Sequence, residues 1–216
     1  MKKIRLLLVF CALILMTGCS TKGGNVPKNE KDLEKLKQNI IASTQIVKID
    51  GRPEIFLTTK NNNRESVTFE VDVEYFDSNN NFVGSDSVNY YDVPAGYETT
   101  AVVGIDVPSV TTNIKTYVKV EDYSLYKSCI NRISQINVNK VNDNIIVQYK
   151  NNSDTEINHV TATMIFYNNG TIVGYSWEYV YDIASDRTIN MEFREPYKKK
   201  YTDYKMFINE CDIRAY

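Results

Sequence analysis

An internal repeat constrains this sequence more than any other feature. The segment "YFDSNNNFVG" at 75–84 has a close relative, "FYNNGTIVG", at 166–174. Identical residues recur ninety positions apart, and the same offset aligns both ends of a long segment. The pairs are Gln45 and Gln135, Lys60 and Lys150, Val83 and Val173, Tyr91 and Tyr181, and Lys115 and Lys205. We therefore predict two similar domains, at 45–122 and 133–212.

Each copy has the pattern of antiparallel strands. Apolar and polar residues alternate over 68–75 in the first copy, and apolar residues recur at every second position over 160–166 in the second. Both patterns have the period of a strand with one buried face. Asn-rich segments follow both runs, and the pair Asn169-Gly170 suits a tight hairpin turn. Short strands with turn signals at regular intervals predict an all-β chain of two tandem immunoglobulin-like antiparallel β-sandwich domains.

The repeated motifs resemble those of a bacterial domain family. "VEYFDSNNNFVG" with "YDVPAG" in the first copy, and "MIFYNNGTIVG" with "YDIASD" in the second, are similar to FxLYD-type domains. The resemblance implies an immunoglobulin-like fold and an exported or lipid-anchored protein. It implies no catalytic residues, because such domains share none.

The N-terminus has the features of an export signal. Lys2, Lys3 and Arg5 precede an apolar run from Leu6 to Met16, which is too short to span a bilayer. The run ends in "LMTGCS", which resembles the lipobox of bacterial lipoproteins. This resemblance implies a signal peptide at 1–18 and a lipid on Cys19, which would anchor the chain to the outer face of the cytoplasmic membrane, or to an outer membrane if the source has one. The alternative is an ordinary secretory signal peptide, in which Cys19 has no role.

A linker and a short helix are predicted between the anchor and the first domain, at 19–44. The first part, "STKGGNVPKN", is polar and suits a flexible spacer. The second part places Leu33, Leu36, Ile40 and Ile41 at helical spacing, with Asn29 as the N-cap. We expect this amphipathic helix to dock on the neighbouring domain.

Two cysteines of the exported region are left without an assigned role. Outside the cytoplasm, Cys129 and Cys211 are a candidate disulfide, because thiols there can persist in oxidised form. Two separate buried thiols are the alternative, since free cysteine packs as a small apolar side chain.

Few residues suit catalysis or a metal site. The chain has one histidine, His159, which we expect on the surface of a strand. Glu70, Asp72 and Glu74 line one strand face, where a solvated face is favoured over a calcium site. We therefore expect no enzyme, cofactor or metal. A net charge of −2 in an exported protein also argues against nucleic acid as a partner.

Two features of the second copy are candidate binding surfaces. Tyr175, Trp177 and Tyr179 belong to "GYSWEYVYD", and side chains of these types suit contacts with proteins or sugars. Cross-strand packing is the alternative, because aromatic residues are common in strands. Lys198, Lys199 and Lys200 form a basic loop in "REPYKKKY", which either contacts an anionic partner or is merely solvated.

Two classes of function fit these observations. The first is a lipid-anchored binding or scaffolding module that engages an envelope protein or a wall component. The second is an accessory or regulatory subunit of an envelope enzyme or transporter.

Overall fold

The structure, a computed structural model, describes residues 29–104, 106–122, 124 and 126–214. The predicted signal peptide at 1–18 and Cys19 lie outside these residues. The described chain is all-β apart from one helix and a short 3-10 turn at Ile130–Arg132. Its strands form two antiparallel β-sandwiches of immunoglobulin type, one for each copy of the repeat, which confirms the predicted fold class.

Domain 1 is the sandwich formed by the first copy. One sheet has the order β1-β2-β5 and the other β4-β3-β6. Their strands are β1 (Ile40–Ile49), β2 (Arg52–Asn61), β3 (Val67–Phe76), β4 (Phe82–Val93), β5 (Glu98–Val103) and β6 (Asn113–Glu121). The predicted alternation is borne out in β3, where Phe69, Val71 and Val73 are buried between the sheets while the residues between them are partly exposed.

Domain 2 is the sandwich formed by the second copy. Its sheets have the orders β12-β9-β8 and β11-β10-β13-β7. Their strands are β7 (Tyr126–Ser128), β8 (Ile133–Val141), β9 (Asn144–Asn151), β10 (Ile157–Asn168), β11 (Thr171–Ile183), β12 (Thr188–Arg194) and β13 (Asp203–Arg214). The short strand β7 precedes the predicted boundary at 133 and pairs with β13, so the segment between the domains completes a sheet of domain 2. Asn169 and Gly170 turn the chain between β10 and β11 with positive φ angles, as predicted.

A buried asparagine shows the repeat at atomic detail. The side-chain amide of Asn61 donates to the carbonyl oxygens of Glu65, Val93 and Pro94. Ninety positions later, the amide of Asn151 donates to the corresponding three carbonyls, those of Thr155, Ile183 and Ala184. The same hydrogen-bond set in both sandwiches explains why "KNN" is kept in each copy.

The helix α1 spans Glu30–Gln38 and begins as predicted, with the Asn29 side chain accepting from the amide of Asp32. Leu36 packs into the core of domain 1, so the helix docks on that domain. The prediction that Ile40 and Ile41 continue the helix is wrong. Both residues begin β1 and pair with β2, a state that β-branched side chains favour, so the first strand starts inside the predicted linker. A helix able to cross a bilayer is absent from the described part of the chain.

The two sandwiches pack against each other through one sheet of each. Phe56 on the outer face of β2 contacts a cluster on the outer face of the β11-β10-β13 sheet, formed by Ile165, Ile172 and Phe207. Polar contacts flank the cluster, since Tyr97 and Thr99 both donate to the carbonyl of Ile208. The domains therefore share an interface that leaves only part of the outer face of domain 2 exposed.

Candidate functional site

Between Tyr175 and Tyr181, strand β11 places its odd-numbered residues on the outer face of domain 2. Its neighbour β10 turns Ala162, Met164 and Phe166 into the core, so the β11 residues opposite the intervening positions face outward. By this register Tyr175 lies opposite Ile165, Trp177 opposite Thr163, Tyr179 opposite Thr161 and Tyr181 opposite His159.

Three of these aromatic side chains form an exposed row, which we call the aromatic strip: Trp177, Tyr179 and Tyr181. They are 56%, 46% and 61% exposed, respectively. The rings of Trp177 and Tyr179 are stacked with centroids 5.6 Å apart, and the ring of Tyr181 stands 5.2 Å from that of Tyr179. The strip thus presents a continuous aromatic surface to solvent. Sequence reasoning found Trp177 and Tyr179 but omitted Tyr181, although it has the same spacing.

The first copy has no aromatic residues at the positions equivalent to Trp177 and Tyr179. A glycine marks the same place in both domains. Gly84 of β4 pairs with Tyr75 of β3, and Gly174 of β11 pairs with Phe166 of β10. Counting from that glycine, the exposed residues Ser87 and Asn89 of β4 correspond to Trp177 and Tyr179 of β11. Tyr91 corresponds to Tyr181, but it is partly buried and its ring packs against Tyr126. The fold therefore does not require aromatic residues at the positions of Trp177 and Tyr179.

Tyr175 differs from the strip, because domain 1 covers it. Its hydroxyl donates to Glu54 over 3.1 Å, and its ring meets Phe56 edge to face at 5.8 Å. Burial, with a further contribution from the charge of Glu54, raises the pKa of Tyr175 to about 12. Tyr175 is thus mainly an interdomain contact, and sequence reasoning missed this because the contact joins residues far apart in the chain.

A cleft of about 500 Å³ opens at one end of the strip. One wall is the β1–β2 turn of domain 1, with Ile49 and Asp50. The other walls come from Trp177 of the strip and from the loop between β12 and β13. That loop contributes Arg194 at the strand end and then Glu195, Pro196, Tyr197 and Lys199. The cleft joins the aromatic surface to the predicted basic loop, which the sequence presented as two separate features.

Some of the charged side chains around the cleft form ion pairs and others do not. Lys199 forms an ion pair with Asp50 across the domains at 2.8 Å, and Lys140 pairs with Glu195 at 2.5 Å. Lys198 has a positive φ and lies 4.9 Å above the ring of Tyr197. Within the described residues, the side chains of Arg194 and Lys200 have no anionic partner. Both acidic residues of the lining, Asp50 and Glu195, are thus paired with a lysine, and Arg194 is the lining charge that has no partner among the described residues.

His159 lies at the other end of the strip, on the outer face of strand β10 where it was expected, but its side chain is only 23% exposed because two acidic residues enclose it. The imidazole is held between two carboxylates, with Nε2 2.9 Å from Glu210 and Nδ1 3.2 Å from buried Asp212. The hydrogen bond to Glu210 raises the pKa of His159, partial burial opposes this, and the charge of Asp212 adds to the rise. Burial likewise raises the pKa of Asp212. The sequence shows the two acidic residues but not the strand register that brings them to the histidine.

Cys129 and Cys211 meet in the core of domain 2. The amide of Cys129 donates to the carbonyl of Cys211 over 2.8 Å, one step beyond the Ser128–Asp212 pair of β7 and β13. Both thiols are buried, and the structure has them as free thiols without a disulfide between them. The neighbouring Cys129 thiol and then burial raise the pKa of Cys211. The two residues are thus placed together, and the disulfide stays a prediction.

The acidic face of β3 forms ion pairs with a neighbouring strand. The ammonium of Lys119 on β6 lies 2.6 Å from Asp72 and 3.6 Å from Glu70. Asp77 accepts from the amides of Asn79 and Asn81 in the turn that follows. Among the described residues, no group of His, Cys, Asp and Glu side chains is arranged to hold a metal ion.

No protein-family model and no curated protein matches the sequence. Among solved structures, the chain is similar to red sea bream transglutaminase, with a TM-score of 0.27 and 8% sequence identity. The likeness covers 86% of this chain and 30% of that chain. At so low a TM-score, it indicates nothing about the activity of this chain.

Proposed function

We propose that this chain is a lipid-anchored binding module of the bacterial cell envelope, which engages an envelope protein or a wall component through domain 2. It acts by binding and catalyses no reaction. The N-terminal "LMTGCS" and the tandem FxLYD-like motifs support export and anchoring through Cys19. Two or more acyl chains give stable membrane attachment, so the sandwiches would project from the membrane surface.

The aromatic strip is the observation that supports a binding role most strongly. Trp177 and Tyr179 occupy positions where the first copy has Ser87 and Asn89 on an equally exposed face. Exposed Trp and Tyr side chains are common in interface hot spots, because they give large contact areas and lose little entropy on binding. A solvated strand face needs neither residue.

Retention on envelope material tests this proposal. The full-length protein in mild detergent would be immobilised and exposed separately to solubilised membrane proteins and to purified wall polymer from the producing cell. We expect saturable retention of one fraction. The double change Trp177→Ala and Tyr179→Ala should reduce it about tenfold or more.

Tyr117 provides a matched control, because it is 47% exposed and lies on β6 of domain 1. Tyr117→Ala should leave retention unchanged. Equal losses in both variants, or no retention by the unchanged protein, would contradict the proposal. Retention of one membrane complex would identify the partner as a protein and favour a regulatory subunit over a wall-binding module. Turnover of an envelope substrate, abolished by a single side-chain change, would contradict the non-enzymatic role.

A further inference from the structure

The strip and the cleft form one continuous surface with two kinds of chemistry. Trp177 belongs to both, so an elongated ligand that crosses it meets aromatic rings on one side and the basic loop on the other. The aromatic end offers flat apolar surfaces to solvent. The cleft end offers Arg194, which has no anionic partner among the described residues, and Lys199, whose partner Asp50 is exposed.

The chemistry at each end restricts the occupant. Arginine binds carboxylate and phosphate groups through two parallel hydrogen bonds, which favours an anionic ligand at the cleft. An anion there would also replace Asp50, whose side chain is 79% exposed, as a partner of Lys199. Aromatic rings exposed in a row suit the C–H faces of successive sugar rings, which are apolar while their edges are polar. An acidic peptide would satisfy the cleft but would leave the strip without a matching surface.

We propose that this surface binds an anionic polysaccharide, with sugar rings against Trp177 and Tyr179 and a carboxylate or phosphate group against Arg194. The inference rests on the proposed function and specifies its ligand. The sugar ring supplies the contact with the strip, and the anionic substituent supplies the contact with the cleft. A polymer with one of these features binds more weakly than a polymer with both.

The protein contains its own reporter for this surface. Trp177 is the one tryptophan of the chain, so tryptophan emission reports on the proposed site. The full-length protein in mild detergent would be titrated with four polymers. Polygalacturonate has sugar rings with carboxylates, phosphomannan has sugar rings with phosphates, pullulan has neutral sugar rings, and polyglutamate has carboxylates without sugar rings.

We expect a saturable change in emission with polygalacturonate, with phosphomannan or with both, which also shows which anionic group the cleft accepts. Pullulan and polyglutamate should bind at least about tenfold more weakly, because each lacks one set of contacts. Added salt should weaken the binding of the anionic glycans, since the charged contacts are exposed to solvent.

Single changes separate the two ends of the site while keeping the tryptophan reporter. Tyr179→Ala should weaken binding of the anionic glycans about three- to tenfold, because a ring contact is lost. Arg194→Ala should weaken it about tenfold or more and bring the affinity close to that for pullulan. Tyr117→Ala and Arg187→Ala are the controls and should change nothing. Arg187 is exposed and lies at the opposite end of β12, roughly 20 Å from Arg194.

Three results would overturn the inference. Equal binding of polyglutamate and the anionic glycans would mean that charge alone is recognised. Equal binding of pullulan would mean that the cleft has no part. No change in emission with any polymer, combined with saturable retention of an envelope protein that depends on Trp177, would exclude the glycan and leave the proposed binding role intact.

Discussion

At the scale of single residues, the duplication is preserved by two buried asparagines. Asn61 and Asn151 each link the end of one strand to three backbone carbonyls of neighbouring segments. Their side-chain oxygens accept from the following turn, at Asn63 and Ser153. A buried amide that satisfies so many groups cannot be replaced by an apolar side chain without leaving those carbonyls unpaired.

Asn151→Ala should therefore lower the free energy of unfolding by about 2–4 kcal/mol, because buried carbonyls lose their donors. Denaturation in urea measures the change. Asn152→Ala is the matched control, since Asn152 is exposed and its side chain reaches only Ser134. An equal, small effect of both changes would show that the buried asparagine has no special structural role.

His159 makes the stability depend on pH. The folded protein holds the imidazole proton at a pKa above the usual 6.5, chiefly through Glu210. The contribution of His159 to the free energy of unfolding is therefore complete below pH 6.5, and it is lost as pH rises through the higher pKa of the folded state. The raised pKa of Asp212 acts in the same direction at lower pH, because ionisation of that buried carboxyl above its usual 3.8 opposes folding.

We expect the free energy of unfolding to fall as pH rises across neutrality, and His159→Gln to remove most of that slope. Urea denaturation at a series of pH values measures both proteins under identical conditions. If the two pH profiles run parallel, the imidazole and its carboxylates do not couple to folding.

At the scale of elements, the sequence predicts what depends on local pattern. Alternation identified β3 and β10, and the pair Asn169-Gly170 identified the tight turn between β10 and β11. The helix start at Asn29 was also predicted, because a capping side chain acts within one turn. The helix end was not predicted, because the local apolar spacing suggests that Ile40 is helical. Its strand conformation depends instead on pairing with Asn61 of β2, which lies far along the chain.

Long-range register accounts for the remaining errors at the site. The facing of His159 with Glu210 and Asp212 depends on how β10 pairs with β13, where the register also shifts between Thr161 and Ala162. Likewise, Tyr175 was grouped with Trp177 from its spacing alone, whereas contact with Glu54 of domain 1 separates their roles. Trp177 and Tyr179 could be selected from the sequence, because their place on the strand depends on local spacing and not on a contact with distant residues.

Strands β7 and β13 bring Cys129 and Cys211 together, and we predict that they form a disulfide after export. Bond formation removes two protons and two electrons, which an oxidant outside the cytoplasm must accept. Alkylation of the unfolded protein without reductant should then leave both thiols unmodified, and modification should follow reduction. The bridge should stabilise the fold by up to about 4 kcal/mol, because it closes a long loop. Alkylation of both thiols without reductant would contradict the predicted disulfide.

At the scale of the whole molecule, we expect the interface between the domains to make them unfold together. Phe56 of β2 is almost fully buried against domain 2. Its neighbours Ile55 and Leu57 point the other way, into the core of domain 1. We expect a single calorimetric transition for the unchanged protein. Phe56→Ala should lower stability by about 3–5 kcal/mol and separate the transition into two, because the contact cluster loses its centre.

Phe82→Ala is the control for that change, since Phe82 is 59% exposed. It should keep one transition at nearly the same temperature. Two transitions in the unchanged protein would show that the domains are energetically independent, and the cleft between them would then lack fixed walls.

The binding role of domain 2 is the central claim, and cross-linking in the producing cell tests it most directly. A photoreactive phenylalanine analogue would be placed at position 177, on the strip, or at position 117, on an equally open face of domain 1. We predict that illumination yields a discrete envelope adduct from position 177 and none from position 117. Adducts from both positions, or from neither, would contradict the assignment of the aromatic strip as the binding surface.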